Sequence, residues 1–133
     1  MSNHNHEQLT TTGLEVPVTY TWNGVNLVVT SVFFTATRKW KVVGVRGRVT
    51  TSATVATPTF IVYKAPSGTA IGSGTAIHTG TFDLVGTANT NQVLTLSATT
   101  SDLELAVGDS LGLALTGTPT TAAGTLTVTL VPN

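Results

Sequence analysis

The stretch Leu103-Glu-Leu-Ala-Val-Gly-Asp-Ser-Leu-Gly-Leu-Ala-Leu115 decides the fold class of this chain. Apolar residues occupy alternate positions on both sides of Gly108-Asp109. This alternation is the period of a strand that buries one face, and Gly and Asp both favour turns. The stretch therefore predicts two strands joined by a turn.

The same period of two extends in both directions along the chain. Downstream, the segment from Thr125 to Leu130 alternates threonine with leucine or valine. Upstream, residues 16–22 alternate in the same way, which predicts a strand whose Tyr20 and Trp22 face inward. Asn23-Gly24 then favours a hairpin turn, with a return strand through Val25, Leu27 and Val29.

The middle of the chain predicts further strands. Ser31 to Phe34 is apolar, Trp40 to Thr50 forms a long strand, and Phe60 to Tyr63 forms another. Strict alternation along the long strand places Val43, Val45 and Val49 on one face. It places Arg46 and Arg48 on the other face, together with Trp40 and Val42.

About eight short strands without a helical period are typical of an all-β protein. We expect a jelly-roll-like antiparallel β-sandwich of two sheets over one core. An immunoglobulin-like sandwich is the alternative. Residues 14–133 are predicted to form this single domain, and the polar residues 1–13 an extended or flexible N-terminal arm.

The composition excludes several classes of protein. The chain has 133 residues and no cysteine, which excludes disulfides and cysteine-based zinc sites. Its polar N-terminus has no secretory signal, and no apolar run reaches the roughly 20 residues of a membrane span. We therefore expect synthesis in a cytoplasm and no membrane partner.

Candidate catalytic residues are few. His4 and His6 lie in the arm, and His78 has only Asp83 as a nearby carboxylate. Asp102 and Glu104 fall on the same face of the predicted strand, where solvated edge positions are expected rather than a paired-carboxylate site. The Gly-x-Ser-x-Gly elbow and the glycine-rich phosphate loops are absent from the sequence. We expect no enzyme activity, no cofactor and no metal.

The formal net charge is zero, but the charges are unevenly distributed. All six Lys and Arg residues lie at or before Lys64, and five of them lie between Arg38 and Arg48. A basic strand with an interleaved tryptophan is compatible with protein contact, with a simple solvated face or with nucleic acid. The zero net charge argues against a nucleic-acid binder.

The C-terminal part of the chain resembles the capsid decoration (cement) proteins of tailed bacteriophages. The similarity lies in Phe82-Asp-Leu-Val-Gly-Thr-Ala-Asn-Thr90, in the Leu-x-Leu-x-x-Gly-Asp-x-Leu-x-Leu pattern that begins at Leu103, and in the threonine-rich segment from Gly124 to Pro132. The resemblance implies a viral structural protein of the virion, a homotrimer on the outer capsid surface. Its partners would be the major capsid protein and its own copies.

In such proteins an N-terminal arm commonly reaches along the shell. Together with the placement of charge, this predicts that the arm and the basic strand make the protein contacts. The alternative function is a phage fibre or a receptor- or carbohydrate-binding β-sandwich module. The candidate interaction residues are Asn3, His4, Asn5, His6, Glu7, Gln8, Arg38, Lys39, Trp40, Lys41, Arg46 and Arg48.

Overall fold

A computed structural model describes residues 14–23, 30–54, 57–119 and 121–133. Within them lie two 3-10 helices, Ile71–Ser73 and Thr100–Leu103. No helix in this part of the chain is long and apolar enough to cross a membrane. The strands of the same residues are β1 Val16–Trp22, β2 Ser31–Thr35, β3 Trp40–Thr51, β4 Thr59–Ala65, β5 Thr75–Ala76, β6 Phe82–Asp83, β7 Asn91–Val93, β8 Glu104–Leu105, β9 Ser110–Thr116 and β10 Ala123–Pro132.

The strands form two antiparallel sheets, which confirms the predicted jelly-roll-like sandwich. Sheet A has the order β1-β10-β3, and both β7 and β8 pair with β3. Sheet B has the order β2-β9-β4, and both β5 and β6 pair with β4. The first four strands alternate between the sheets, and β9 and β10 each insert between two of them. The predicted arm and the return strand through Val25, Leu27 and Val29 lie outside the described residues.

The inward faces of the two sheets form one core. Leu126 and Leu130 of β10 and Leu113 of β9 are fully buried. Trp22, at the end of β1, is 1% exposed, and Tyr20 packs against the core beside it. These positions confirm the prediction that both aromatic residues face inward.

Three aromatic rings fill the centre of this core. The rings of Phe60 and Phe82 stack with centroids 4.5 Å apart. The Trp22 ring meets them edge-on at 5.6 Å and 5.9 Å, respectively. Gly47 and Gly124 make room for the rings, because an added Cβ would lie 2.6 Å from Phe82 Cε2 at the first position and 2.8 Å from Trp22 Cζ2 at the second. Glycine at these two strand positions therefore allows the aromatic packing.

A β-bulge in β3 changes which residues face the core. Val42 and Val45 are each 1% exposed, whereas Val43 between them is 40% exposed. The register of β3 against β10 shifts between Val42 and Gly44, so one extra residue stands in β3 at this point. A bulge of this kind moves the side chains on one side of it to the opposite face.

The predicted division of β3 into two faces is therefore wrong in its first part. Val43 does not share the inner face with Val45, and Trp40 does not share the outer face with Arg46 and Arg48. Instead, Trp40 packs against the core, while the two arginines are exposed to solvent.

The turn at Gly108-Asp109 joins β8 of sheet A to β9 of sheet B. Gly108 has a φ of 92°, which glycine adopts without strain. The Asp109 carboxylate accepts a hydrogen bond from the Ala106 N–H at 2.9 Å. Ala36 holds the turn through two backbone hydrogen bonds, each 2.8 Å long. Its N–H donates to the Asp109 carbonyl oxygen, and its carbonyl oxygen accepts from the Gly108 N–H. The Leu-x-Leu-x-x-Gly-Asp pattern thus builds a connection between the sheets.

The residues before this turn differ from the prediction of one strand over residues 103–107. Thr100–Leu103 is a 3-10 helix, and only Glu104–Leu105 forms a strand. Asp102 lies in that helix and accepts a hydrogen bond from the Ser97 hydroxyl at 2.6 Å. The prediction that Asp102 and Glu104 share a strand face is therefore wrong.

Candidate binding face

The outer surface of sheet A carries a regular array of polar side chains. β10 lies between β1 and β3, so its outward threonines have neighbours on both sides. One cross-strand row contains Thr21, Thr125, Arg48 and Asn91. The next row contains Thr19, Thr127, Arg46 and Val93. We call these two rows together the threonine–arginine face.

Hydroxyl groups line one half of the threonine–arginine face. The Oγ1 atoms of Thr19 and Thr127 are 3.1 Å apart, and those of Thr21 and Thr125 are 3.5 Å apart. Cross-strand threonine pairs of this kind stabilise a sheet. A hydroxyl also donates one hydrogen bond and accepts others, so both rows retain capacity for a partner.

Two arginines form the other half of the face. The Arg48 Nε–H donates to Asn91 Oδ1 at 2.9 Å, which fixes the plane of the guanidinium. Arg46 lies two residues away on the same side of β3, and both arginines are exposed. Their neighbours across the strands are threonines, an asparagine and a valine. The face is therefore positively charged, with one cation held in a defined orientation.

A shallow depression of about 320 Å³ lies on this half of the face. It is lined by Arg46, Gly47, Arg48, Asn91, Thr125 and Thr127. Val93 is 65% exposed beside it. The depression is open and cationic, and it is suited to a flat anionic or hydrogen-bonding partner.

The basic residues between Arg38 and Arg48 are close in the sequence but lie in different parts of the structure. Arg38 and Lys39 lie in the turn between β2 and β3, where the Arg38 guanidinium stacks over the Trp40 ring at 5.3 Å. Lys41 follows Trp40, about 16 Å along the strand from Arg46 at 3.3 Å per residue. Only Arg46 and Arg48 belong to the threonine–arginine face. The arm residues Asn3, His4, Asn5, His6, Glu7 and Gln8 lie outside the described residues.

A second depression, of about 370 Å³, lies at one end of the sandwich. Lys64 and Glu104, two of its charged residues, make structural hydrogen bonds. The Lys64 ammonium donates to the carbonyl oxygens of Ser101 at 2.5 Å and Glu104 at 2.7 Å, and Asn133 Nδ2 donates to the Glu104 carboxylate at 3.4 Å. Lys64 thus ties sheet B to the segment that carries β8.

His78 has a structural role in the core. It is 4% exposed, and its Nε2 accepts a hydrogen bond from the Val62 backbone N–H at 3.0 Å. Its Nδ1 therefore carries the proton and donates to the Thr79 carbonyl oxygen at 3.0 Å. Desolvation by burial lowers the pKa of His78 below its ordinary value of 6.5, although the hydrogen bond to Thr79 opposes the shift.

No group of three or more metal-ligating side chains comes together among the described residues. The sequence pointed to the two arginines but not to the other members of their rows, which are Thr19, Thr21, Thr125, Thr127, Asn91 and Val93. The alternation of threonines in residues 16–22 was the available signal, but only the strand register shows that they lie beside Thr125 and Thr127.

Comparisons with known proteins add little. No protein-family model and no curated protein matches the chain. Among solved structures, a chain from the structure of the Gx strain of infectious bursal disease virus matches with a TM-score of 0.34 and 19% sequence identity. The match covers 86% of this chain and 32% of that chain, so this chain spans about a third of the viral chain's length.

Proposed function

We propose that this protein is a capsid decoration protein of a tailed bacteriophage. In this role it binds the outer surface of the shell formed by the major capsid protein and stabilises that shell. The observation that carries the proposal is the threonine–arginine face, a broad polar surface on a rigid sheet. A decoration protein needs a surface of this kind rather than a catalytic cleft.

The fold and the resemblance of residues 82–132 support the same role. A jelly roll with a continuous core presents its outer side chains on central strands, where the backbone is fixed by pairing on both sides. Binding at many equivalent sites of a shell multiplies a modest contact by avidity. Catalysis is not part of this proposal, which includes no cofactor, no membrane partner and no nucleic acid.

The test is binding of the purified protein to phage shells that lack a decoration protein. We expect saturable binding in a fixed ratio to the major capsid protein, measured by co-sedimentation and cryo-electron microscopy. We also expect the decorated shells to disassemble at a higher temperature, because a ligand that binds only the assembled state stabilises it. Failure to bind would contradict the proposed function.

We propose further that the protein acts as a homotrimer. Three copies held together present three faces at once, which raises the effective concentration of the second and third contacts. Light scattering on the shell-free protein should give a mass of three times 13.7 kDa. A monomer in solution that also bound shells as isolated single copies would contradict this part of the proposal.

The carbohydrate-binding alternative has less support from the aromatic side chains. Sugar sites commonly present an exposed aromatic ring, whereas Trp22 is 1% exposed and Trp40 is covered on one side by Arg38. A glycan array separates the two functions. Specific binding to one class of glycan, without shell binding, would favour the alternative.

A further inference from the structure

We infer that the threonine–arginine face binds an extended acidic segment of the shell protein, with carboxylates at alternate positions. The inference rests on the proposed function, and it adds the contact surface and the chemistry of the partner. Three observations carry it: the lack of a carboxylate opposite the arginines in the described rows, the spacing of the arginines, and the position of Trp40.

In the described cross-strand rows, no carboxylate lies opposite either arginine of the face. Arg48 lies between Thr125 and Asn91, and Arg46 lies between Thr127 and Val93. Asn91 takes the Nε–H of the exposed Arg48, and no hydrogen bond joins the terminal nitrogens of that guanidinium to another described residue. A guanidinium with free terminal nitrogens binds a carboxylate through paired hydrogen bonds.

The spacing of the arginines matches an extended chain. Residues i and i+2 of one strand lie about 7 Å apart on the same face. Carboxylates at alternate positions of an extended segment repeat at the same distance, so one segment meets both arginines in register. The threonine hydroxyls beside them supply hydrogen bonds for the backbone or polar side chains of that segment.

The position of Trp40 favours a polypeptide partner over nucleic acid. Single-stranded nucleic acid is held by stacking on aromatic rings beside basic residues. The bulge in β3 turns Trp40 toward the core, away from the face that carries Arg46 and Arg48. Two arginines with no aromatic beside them in the described rows, in a chain of zero net charge, suit carboxylates better than a polyphosphate chain.

The first test compares two double variants that remove equal charge. Arg46→Gln/Arg48→Gln changes the face, and Arg38→Gln/Lys39→Gln is the matched control in the β2–β3 turn. We expect the face variant to bind shells roughly tenfold to a hundredfold more weakly than the wild type, because a carboxylate loses its charged partner. The control variant should bind like the wild type. Equal binding by the face variant, or an equal loss in both variants, would overturn the inference.

The second test is independent of the shell, so it separates this inference from the proposed function. The probe is a capped peptide, Thr-Glu-Thr-Glu-Thr-Glu-Thr, and its control replaces each glutamate with glutamine. In NMR titrations we expect the glutamate peptide to shift the signals of Arg48 Nε–H, Asn91 and Thr127, and high salt to suppress the effect. The glutamine peptide should shift none of them.

The peptide titration decides the inference even when the wild type binds no shells, a result that would contradict the proposed function alone. Absence of shifts, or shifts confined to the Arg38–Lys39 turn, would overturn the inference. Tighter binding of a DNA oligonucleotide than of the peptide at the same residues would also overturn it. Arg46→Lys/Arg48→Lys keeps the charge but loses the planar fork, and should give an intermediate affinity.

Discussion

At the scale of single residues, His78 couples stability to pH. Its folded-state pKa lies below 6.5 because burial disfavours the charged imidazole, so the unfolded chain takes up the proton first as the pH falls. The stability that neutral His78 contributes is fully present above pH 6.5 and is lost as the pH falls through 6.5 toward the folded-state pKa. We expect urea denaturation to show this decline as the pH is lowered from neutral through 6.5.

His78→Ala is the control for this effect. It leaves the Val62 N–H without its acceptor, and should cost about 1–3 kcal/mol at neutral pH. It should also remove the part of the pH dependence that comes from residue 78. An unchanged slope of stability against pH in this variant would show that other groups cause the decline.

Gly124 gives a second prediction at the residue scale. A Cβ at this position would contact the Arg48 carbonyl oxygen and would lie 2.8 Å from Trp22 Cζ2. Gly124→Ala should therefore lower the free energy of unfolding by about 1–3 kcal/mol through overpacking. Gly72→Ala is the matched control, because its Cβ would have only Ala114 Cβ at 3.6 Å. Equal stabilities of the two variants, measured by thermal or urea unfolding, would contradict the packing argument.

At the scale of elements, the bulge in β3 distinguishes two adjacent valines. Val42→Asn places an amide in the core and should cost about 2–4 kcal/mol, as a buried unsatisfied polar group does. Val43→Asn changes a half-exposed side chain and should cost about 0.5 kcal/mol or less. Urea denaturation measures both. The reverse order of stability would mean that β3 alternates without a bulge.

The same element shows how far the sequence predicts the fold. Alternation correctly predicted the long strands β1, β3, β9 and β10, the inward Trp22 and the turn at Gly108-Asp109, because these depend on residues close together in the chain. It failed at Val43, because a bulge depends on the register with β10, and no local pattern in β3 marks the extra residue. It also failed at Asp102, where a polar residue beside leucines suits a 3-10 helix as well as a strand.

The candidate site was predictable only in part for a related reason. Arg46 and Arg48 stand out in the sequence, but the contacts that define their surroundings are distant. Asn91 is 43 residues from Arg48, and Thr19 is 108 residues from Thr127. Composition and period give the residue types on a face, whereas strand pairing decides which of them become neighbours.

At the scale of the whole molecule, the placement of charge predicts limited proteolysis. Trypsin cuts after Lys and Arg, all of which lie at or before Lys64. Most of them lie in strands, whereas Arg38 and Lys39 lie in an exposed turn. Under native conditions we expect cleavage there first, because an exposed turn fits a protease more readily than a paired strand.

The two fragments should remain associated after this cut. β1 and β2 lie in the first fragment, but they pair with β10 and β9 of the second. The nicked protein should therefore elute with the intact protein in gel filtration and separate only on a denaturing gel. Early cleavage after Arg46 or Arg48 would contradict the pairing of β3 on both sides.

The position of β10 between β1 and β3 also determines when sheet A can form during synthesis. β1 and β3 leave the ribosome first, but the strand that joins them ends at Pro132. Pairing β10 with β1 brings together residues that are far apart in the chain. Such pairing makes folding slow and keeps strand edges exposed in the nascent chain. The threonine–arginine face therefore forms only after β10 has been synthesised.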